Sequence, residues 1–271
     1  MKMTQLFPRW SGGLTIHDST QIWVSKSGDD TLGDGTAVAP YKTLTKALAA
    51  VTSARKTILM LPGEYAEGAA MVWPVISGVQ LIGAGLVTVS SAGTTQVLSI
   101  APGALSDTFD VRIENIDIYH QNSSQDGILV NNTGCGKKIV LTLCNVSGDP
   151  GDGAGDMIAT VHADASNAIR IYWTGDHGEG IGGSIHFTGG NDGDRLHVTD
   201  CSIDGGIVTS ATAVALDIVL RECLILHAGI TGGASQQTVK IVGCFSDNSG
   251  TYAVAGTGEC TGSQTCTVIG A

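Results

Sequence analysis

The sequence predicts an all-β protein: one chain of 271 residues coiled as a right-handed parallel β-helix, with an α-helix capping its N-terminal end. Three observations predict it. First, short runs with apolar residues at every second position recur along the chain, the mark of strands with one buried face. Second, a small residue follows such a pair at nearly even spacing. Leu196/Val198 precede Cys201, Ile218/Leu220 precede Cys223 and Val239/Ile241 precede Cys244. Earlier copies set Ile139/Leu141 before Cys144 and Val111/Ile113 before Ile116. Repetition at such a short and even period is what the stacked rungs of a solenoid require. Third, glycine supplies 38 residues and only 14% of residues are charged. That glycine share is about double the ordinary ~7%, as suits many strands joined by tight turns.

Residues 1–21 contain Pro8 and the Gly12-Gly13 pair and show no strand or helix period. Phe7, Trp10 and Leu14 make this segment more apolar than a solvated tail needs. It is read as an arm that orders on a partner. Ile22-Trp23-Val24 opens the first strand, and residues 22–56 form the N-terminal cap. A helix is expected over about residues 43–54, because Leu44, Ala47, Leu48 and Val51 fall on one stripe. Thr43 is placed to cap it, and Lys46 at the third helical position rules out a capping box. Such a helix would cover the open end of the first rung.

Residues 57–250 continue as the β-helix, from Ile58 and Leu61 to Val239 and Ile241. Eight or nine rungs at the usual strand spacing make a column of roughly 40 Å. Some intervals between strand patterns are longer than that from Cys201 to Cys223. Inserted loops are expected there, best placed at the Gly- and Asp-rich stretches 148–156 and 174–184. After Thr251 the alternation weakens, and residues 251–271 are read as a C-terminal cap.

The chemistry is thinner than the fold signal. The net charge is −11 with no basic cluster in the sequence, which argues against a nucleic-acid partner. No stretch is long and apolar enough to span a bilayer, and the N-terminus has no apolar signal core, so synthesis in the cytoplasm without membrane insertion is expected. Cys144, Cys201, Cys223 and Cys244 are expected to stack as buried free thiols, because in-register side chains point the same way and do not converge on a disulfide. Cys260 and Cys266 are the one pair close enough in sequence for a local bridge, and their redox state is left open. Asp149, Asp152 and Asp156 offer oxygen ligands suited to calcium, but their spacing matches neither an EF-hand nor a Gly-rich nonapeptide repeat. A solvated turn is the favoured reading, and no cofactor is expected. His186 and His197 alternate with aliphatic residues, which places both on outward strand positions.

The run V-S-K-S-G-D-D-T-L-G-D-G-T, then P-Y-K-T-L-T-K-A-L, then K-T-I-L-M-L-P-G-E-Y resembles the opening of the pectate-lyase-like right-handed β-helix superfamily. The likeness covers residues 24–65. It implies the fold and leaves the activity open, since that superfamily holds lyases, hydrolases, epimerases and phage structural proteins. If the chain were a carbohydrate-active enzyme of this kind, Arg112, Glu114, Asp126, Asp176 and His177 would be its candidate catalytic residues. Their order and spacing do not match the superfamily's pectin-hydrolase motifs, and hydrolysis needs two carboxylates held across one bond.

Among signal-less β-helices with an irregular arm and a capping helix, the chain most resembles tailed-phage virion proteins. That resemblance implies a non-enzymatic surface decoration or spike at the virion surface, docked on capsid or tail proteins through Phe7, Trp10 and Leu14. It also implies a homotrimer and, in some such proteins, contact with a host-surface glycan. The alternative is a polysaccharide lyase, a glycoside hydrolase or a non-catalytic glycan-binding tailspike.

Overall fold

The computed structural model describes residues 20–103, 108–119, 125–133, 138–149, 155–161, 168–175, 180–181, 184–188, 193–203, 205–209, 216–225, 230–232, 237–246, 251–254, 256–261 and 267–270. These residues form two parallel sheets, of sixteen and nine strands; the larger bends at a corner into two faces, so each circuit of the chain visits three faces, called here the first, second and third sheets. The first sheet stacks ten strands: Gln21–Val24, Thr57–Met60, Val79–Gly83, the leading halves of Phe109–Tyr119 and Lys138–Asp149, then Ala168–Thr174, Asp194–Thr199, Leu216–Arg221, Gln237–Val242 and Gly256–Thr261. The second sheet begins with Gly63–Glu67 and Val87–Ser91, continues through the trailing halves of the two long strands, and ends at Phe245–Ser246. The third runs from Met71–Val72 through Gln96–Ile100, Asp126–Asn131, Asp156–Val161, Ser184–Thr188 and Ile207–Thr209 to Thr267–Gly270. Every pairing is parallel, as a coil of rungs demands.

The alternation in the sequence becomes vertical rows in the interior. Ile58, Leu81, Ile113, Leu143, Trp173, Val198, Leu220 and Ile241 stand in consecutive register, all buried. Each such aliphatic side chain contributes about 1.5–3 kcal/mol on leaving water. The one indole in that row, Trp173, keeps its N–H satisfied by donating to the Val146 carbonyl oxygen at 3.1 Å. The third sheet supplies the facing rows, including Leu98, Ile128, Ile158, Ile185 and Ile207. Buried Thr160, and not Val161, is the inward residue after Ile158.

Ten first-sheet strands exceed the expected eight or nine, because pairing continues at the C-terminal end. Within residues 251–271, expected as the C-terminal cap, Thr251–Val254, Gly256–Thr261 and Thr267–Gly270 extend the third and first sheets. The alternation had faded there because Gly256 and Gly258 occupy strand positions that earlier rungs give to larger side chains. The rungs also taper. Arg112 pairs with Thr142 and Thr142 with Tyr172 in the centre, whereas His197 pairs with Val219, Val219 with Lys240 and Lys240 with Glu259 towards the end. Fewer residues therefore close each late turn than each central one.

One corner is built the same way on many turns. Between the first and second sheets a single residue adopts positive φ: Asn115 at 54°, Asn145 at 49°, Asp200 at 57°, Glu222 at 54° and Gly243 at 64°. That conformation costs an L-residue roughly 1–2 kcal/mol, least for Asn and Asp, whose side chains bond locally. The two asparagines recover part of it as a ladder. Asn145 Nδ2 donates to Asn115 Oδ1 at 3.1 Å, and Asn115 Nδ2 donates to the Gly83 carbonyl oxygen at 3.3 Å.

The capping helix is Leu44–Ala49, shorter than the expected 43–54. Thr43 is its N-cap, accepting from Lys46 N–H at 3.2 Å. The helix stops because Ala50 takes the last backbone bonds and the Thr52 hydroxyl draws the Arg55 N–H into a separate turn. In place of a capping box, two distant carboxylates serve the first turn. Glu67, buried at the end of the first second-sheet strand, accepts from Leu44 N–H at 2.8 Å and from the Thr45 hydroxyl at 2.6 Å. Asp30 accepts from the N–H groups of Lys42 and Thr43 at 2.8 and 3.1 Å. Gly28 is required in this cap, since a Cβ there would lie 2.3 Å from the Tyr41 carbonyl oxygen. In the P-G-E-Y segment, Tyr65 points inward and donates to the Leu61 carbonyl oxygen at 2.7 Å; burial pushes its hydroxyl pKa up to about 12.

Candidate functional site

The outward positions of the first sheet form charged rows. Arg112 pairs with Glu114 on its own strand, at 2.9 Å. Further along the column, Tyr172 and His197 stand in register and pack edge to face, ring centroids 5.3 Å apart. Asp217 receives both Arg195, at 3.5 Å, and His197, at 3.7 Å. Arg170 lies directly beside Arg195 and donates to the Gly193 carbonyl oxygen.

A tighter cluster sits on the outer face of the third sheet. Asp126 and Asp156 begin consecutive strands, and Asp126 Oδ1 accepts the Asp156 N–H at 3.1 Å. His186, on the next strand, places Nδ1 3.0 Å from Asp156 Oδ2. A register shift between Asp156 and Ile158 sets His186 beside Ala159, so the imidazole reaches back diagonally over a small side chain. Burial raises the Asp156 pKa; His186 counteracts that shift and Asp126 adds to it. Two carboxyl groups held near one another with unlike environments, and an imidazole on one of them, are groups able to exchange a proton with a bound hydroxyl.

The structure therefore separates some expected partners and joins others. Arg112 and Glu114 lie on the first sheet and Asp126 on the third, so these three do not form one constellation. Asp176 and His177 lie outside the described residues, as do Asp152, the docking candidates Phe7, Trp10 and Leu14, and Cys266. Asp149 ends a long strand, and its side chain is likewise outside the description. Among the described residues, no group of three His, Cys, Asp or Glu side chains is arranged to hold a metal ion. Asp156, read as one of three loop carboxylates, instead belongs with Asp126 and His186. The available signal was a second, longer period. Positions 126, 156 and 186 are evenly spaced, and their spacing equals the rung length of this part of the column, where Asn115 meets Asn145.

Cys201, Cys223 and Cys244 occupy one buried line immediately after the positive-φ corner and are free thiols. The Cys223 N–H donates to Cys244 Sγ at 3.4 Å, and the thiols of Cys201 and Cys223 donate to the carbonyl oxygens of Thr199 and Arg221 at 3.2 Å. The Cys223 pKa is raised, first by its hydrogen bond with Cys244 and then by burial. Cys144 does not join this line, a correction to the sequence reading. Its register partner is Thr174, which pairs with Thr199, so it stands on the outward face two positions before the stack. Val146 holds the core position, paired with Ile116. The local pattern misled because the Ile139/Leu141 alternation was aligned one pair too early: Leu143, not Leu141, is level with Val198. Burial, opposed by Arg112 and reinforced by Glu114, raises the Cys144 pKa.

No helix of the described residues is long and apolar enough to cross a membrane. No curated protein and no solved structure matches the chain. One family does, over residues 26–187, from the cap loop to the third-sheet strand that carries His186. More than half of the chain lies within that match, and the parallel ladder agrees with a family associated with parallel β-helix proteins. The chain thus belongs to the family described as "Protein of unknown function (DUF1565)".

Proposed function

We propose that the protein is a structural component of a particle: a rigid β-helical surface decoration or spike of a tailed-phage virion, held to capsid or tail proteins by residues 1–21. The observation that carries this reading is the unbroken ladder itself. Ten first-sheet strands stack in register over about 43 Å at the usual strand spacing, around rows of fully buried Ile, Leu and Val. A helix covers the first rung, and the apolar Phe7, Trp10 and Leu14 precede the column in a segment suited to docking. A stiff rod with one sealed end and an attachment arm does mechanical work, and it needs no reacting group. The test is particle binding by the full chain and by a chain lacking residues 1–21. Loss of binding on deletion, with the thermal transition of the column retained, supports the arm; undiminished binding removes it from the account.

A second reading rests on Asp126, Asp156 and His186. Two carboxyl groups on consecutive rungs, one with a raised pKa, are the pieces a glycoside hydrolase uses as acid and nucleophile or base. In that case the protein is a carbohydrate-active β-helix enzyme, or a glycan-binding tailspike if no bond is broken. Release of reducing ends or unsaturated uronate from acidic polysaccharides, abolished by Asp126→Asn and by Asp156→Asn, would favour it. Cleavage that survives both substitutions would rule this cluster out.

A further inference from the structure

The buried line of thiols has a spacing that any link between them must obey. The short strands Ser202–Ile203, Leu224–Ile225 and Phe245–Ser246 pair in register, Ser202 with Leu224 and Leu224 with Phe245. The cysteine just before each strand therefore stands one strand spacing, about 4.8 Å, from the next. Cys201, Cys223 and Cys244 are all at most 4% exposed. Their side chains turn the same way, each thiol donating to the carbonyl oxygen two residues earlier: Cys201 to Thr199 and Cys223 to Arg221 at 3.2 Å, and Cys244 to Val242 at 3.6 Å. Side chains that run parallel do not bring two sulfurs to the ~2.05 Å of a disulfide. The same offset matches two metal–thiolate bonds end to end, since at ~2.3 Å each they span about 4.6 Å. Within the line, Cys223 and Cys244 are directly linked. The Cys223 N–H donates to Cys244 Sγ at 3.4 Å, and the Cys223 thiol is hydrogen-bonded with Cys244 as well, which lowers the Cys244 pKa against the opposing effect of burial.

From this geometry we propose that Cys223 and Cys244 form a two-coordinate site for copper(I), the ion bridging the two sulfurs along the axis of the column. Thiolate sulfur is a soft ligand and selects such an ion over magnesium or calcium. Zinc does not fit, because its structural sites take four donors, and among the described residues no group of three His, Cys, Asp or Glu side chains is arranged to hold a metal ion. The ion gains two sulfur–metal bonds, the two S–H protons pass to solvent, and no electron is transferred. Affinity therefore rises with pH. The bound group carries one negative charge, which the Cys223 N–H meets at Cys244 Sγ. Cys201, one rung nearer the N-terminus, keeps its bond to the Thr199 carbonyl oxygen and stays outside the coordination shell. The bridge ties together two rungs at the turn into the second sheet, so the loaded column should resist heating better than the ion-free one.

The test uses the full chain with Cys135, Cys144, Cys260 and Cys266 replaced by Ala, so that only the line of three remains. The probes are copper(I) delivered without oxygen from a weak chelator, and silver(I) nitrate in chloride-free buffer. Native mass spectrometry counts ions, and X-ray absorption counts sulfur neighbours. The expected result is one ion per chain, two sulfur neighbours and a higher thermal midpoint, with zinc(II) leaving the midpoint unchanged. Cys223→Ser and Cys244→Ser should each weaken binding by more than the roughly 10–100-fold lost when a supporting group is removed, whereas Cys201→Ser should leave it unchanged. Because the thiols are buried, the chain is loaded both by incubation of the native protein and by refolding from urea with the ion present. If the four-alanine chain does not fold, the natural chain is compared with its Cys223→Ser variant, which should bind one ion fewer. No ion bound by either route overturns the proposal, as does a stoichiometry that survives Cys223→Ser, or a site of three sulfur neighbours that is lost with Cys201→Ser.

Discussion

At the residue scale, the positive-φ corner separates what a side chain can and cannot repair. Asn115 and Asn145 bond along the ladder, whereas Glu222 holds φ 54° as an exposed glutamate and Gly243 holds the equivalent place on the next rung without a Cβ. Glu222→Gly should therefore raise stability by about 0.5–1 kcal/mol, the relief of left-handed strain less the added freedom of the unfolded chain. Asn145→Ala should lower it by about 1–2 kcal/mol, since strain stays and the ladder bond goes. Urea denaturation of the two variants checks both signs.

Asp156 supplies a pH signature. Its folded pKa is raised, chiefly by burial, so its contribution to stability is fully present below the ordinary carboxylate value and is lost as pH rises through the folded value. Melting temperature measured across that window should fall with pH less steeply in Asp156→Asn than in the natural chain. Neither the corner nor this carboxyl was legible from immediate neighbours. The corner's Asn, Asp, Glu and Gly look unrelated in sequence, and Asp156 and His186 meet only because a full turn of the coil and a register shift bring them together. The thiol line was legible for Cys201, Cys223 and Cys244, whose rungs are nearly equal in length, and misread at Cys144, where the rung is longer. Site-resolved alkylation of the native protein should modify Cys144, which is partly exposed, well before those three.

At the element scale, the helix shows how far local pattern reaches. The stripe Leu44, Ala47, Leu48 and the cap Thr43 were readable because they repeat within one turn or two. The partners of the first turn were not, since Glu67 and Asp30 come from other segments and carry no local signal. Glu67→Gln keeps the shape and one acceptor but removes the charge; it should cost about 1–2 kcal/mol. Glu67→Ala leaves the Leu44 N–H without its buried acceptor and should cost about 2–3 kcal/mol. Thermal melting of both variants, with the larger loss in Glu67→Ala, checks the assignment. If the two are equal, packing and not capping is the residue's contribution.

At the scale of the whole molecule, the fold was legible because a solenoid repeats one simple rule, and alternation survives any change in loop length. The C-terminal rungs escaped because glycine strand positions erase that alternation. Rung length itself varies widely: the turn from Gln21 to Thr57 is almost twice as long as that from Lys240 to Glu259. Added length between turns should therefore be tolerated away from the shared corner. About ten Gly/Ser residues inserted between Asp149 and Asp156 should cost only about 1 kcal/mol, the entropy of a longer loop. A single residue inserted after Asn145 should abolish the cooperative transition, because it reverses every side chain in the strand that follows.

The same taper has a mechanical consequence. In a coil of parallel rungs, force applied at the C-terminus peels one turn at a time, and each turn releases a length of chain set only by its residue count. At about 3.5 Å per extended residue, the last turns should give steps of roughly 65–75 Å and the central ones steps of about 105 Å. A single molecule drawn out from that end would report its own architecture as step lengths that rise from the last turns to the central ones.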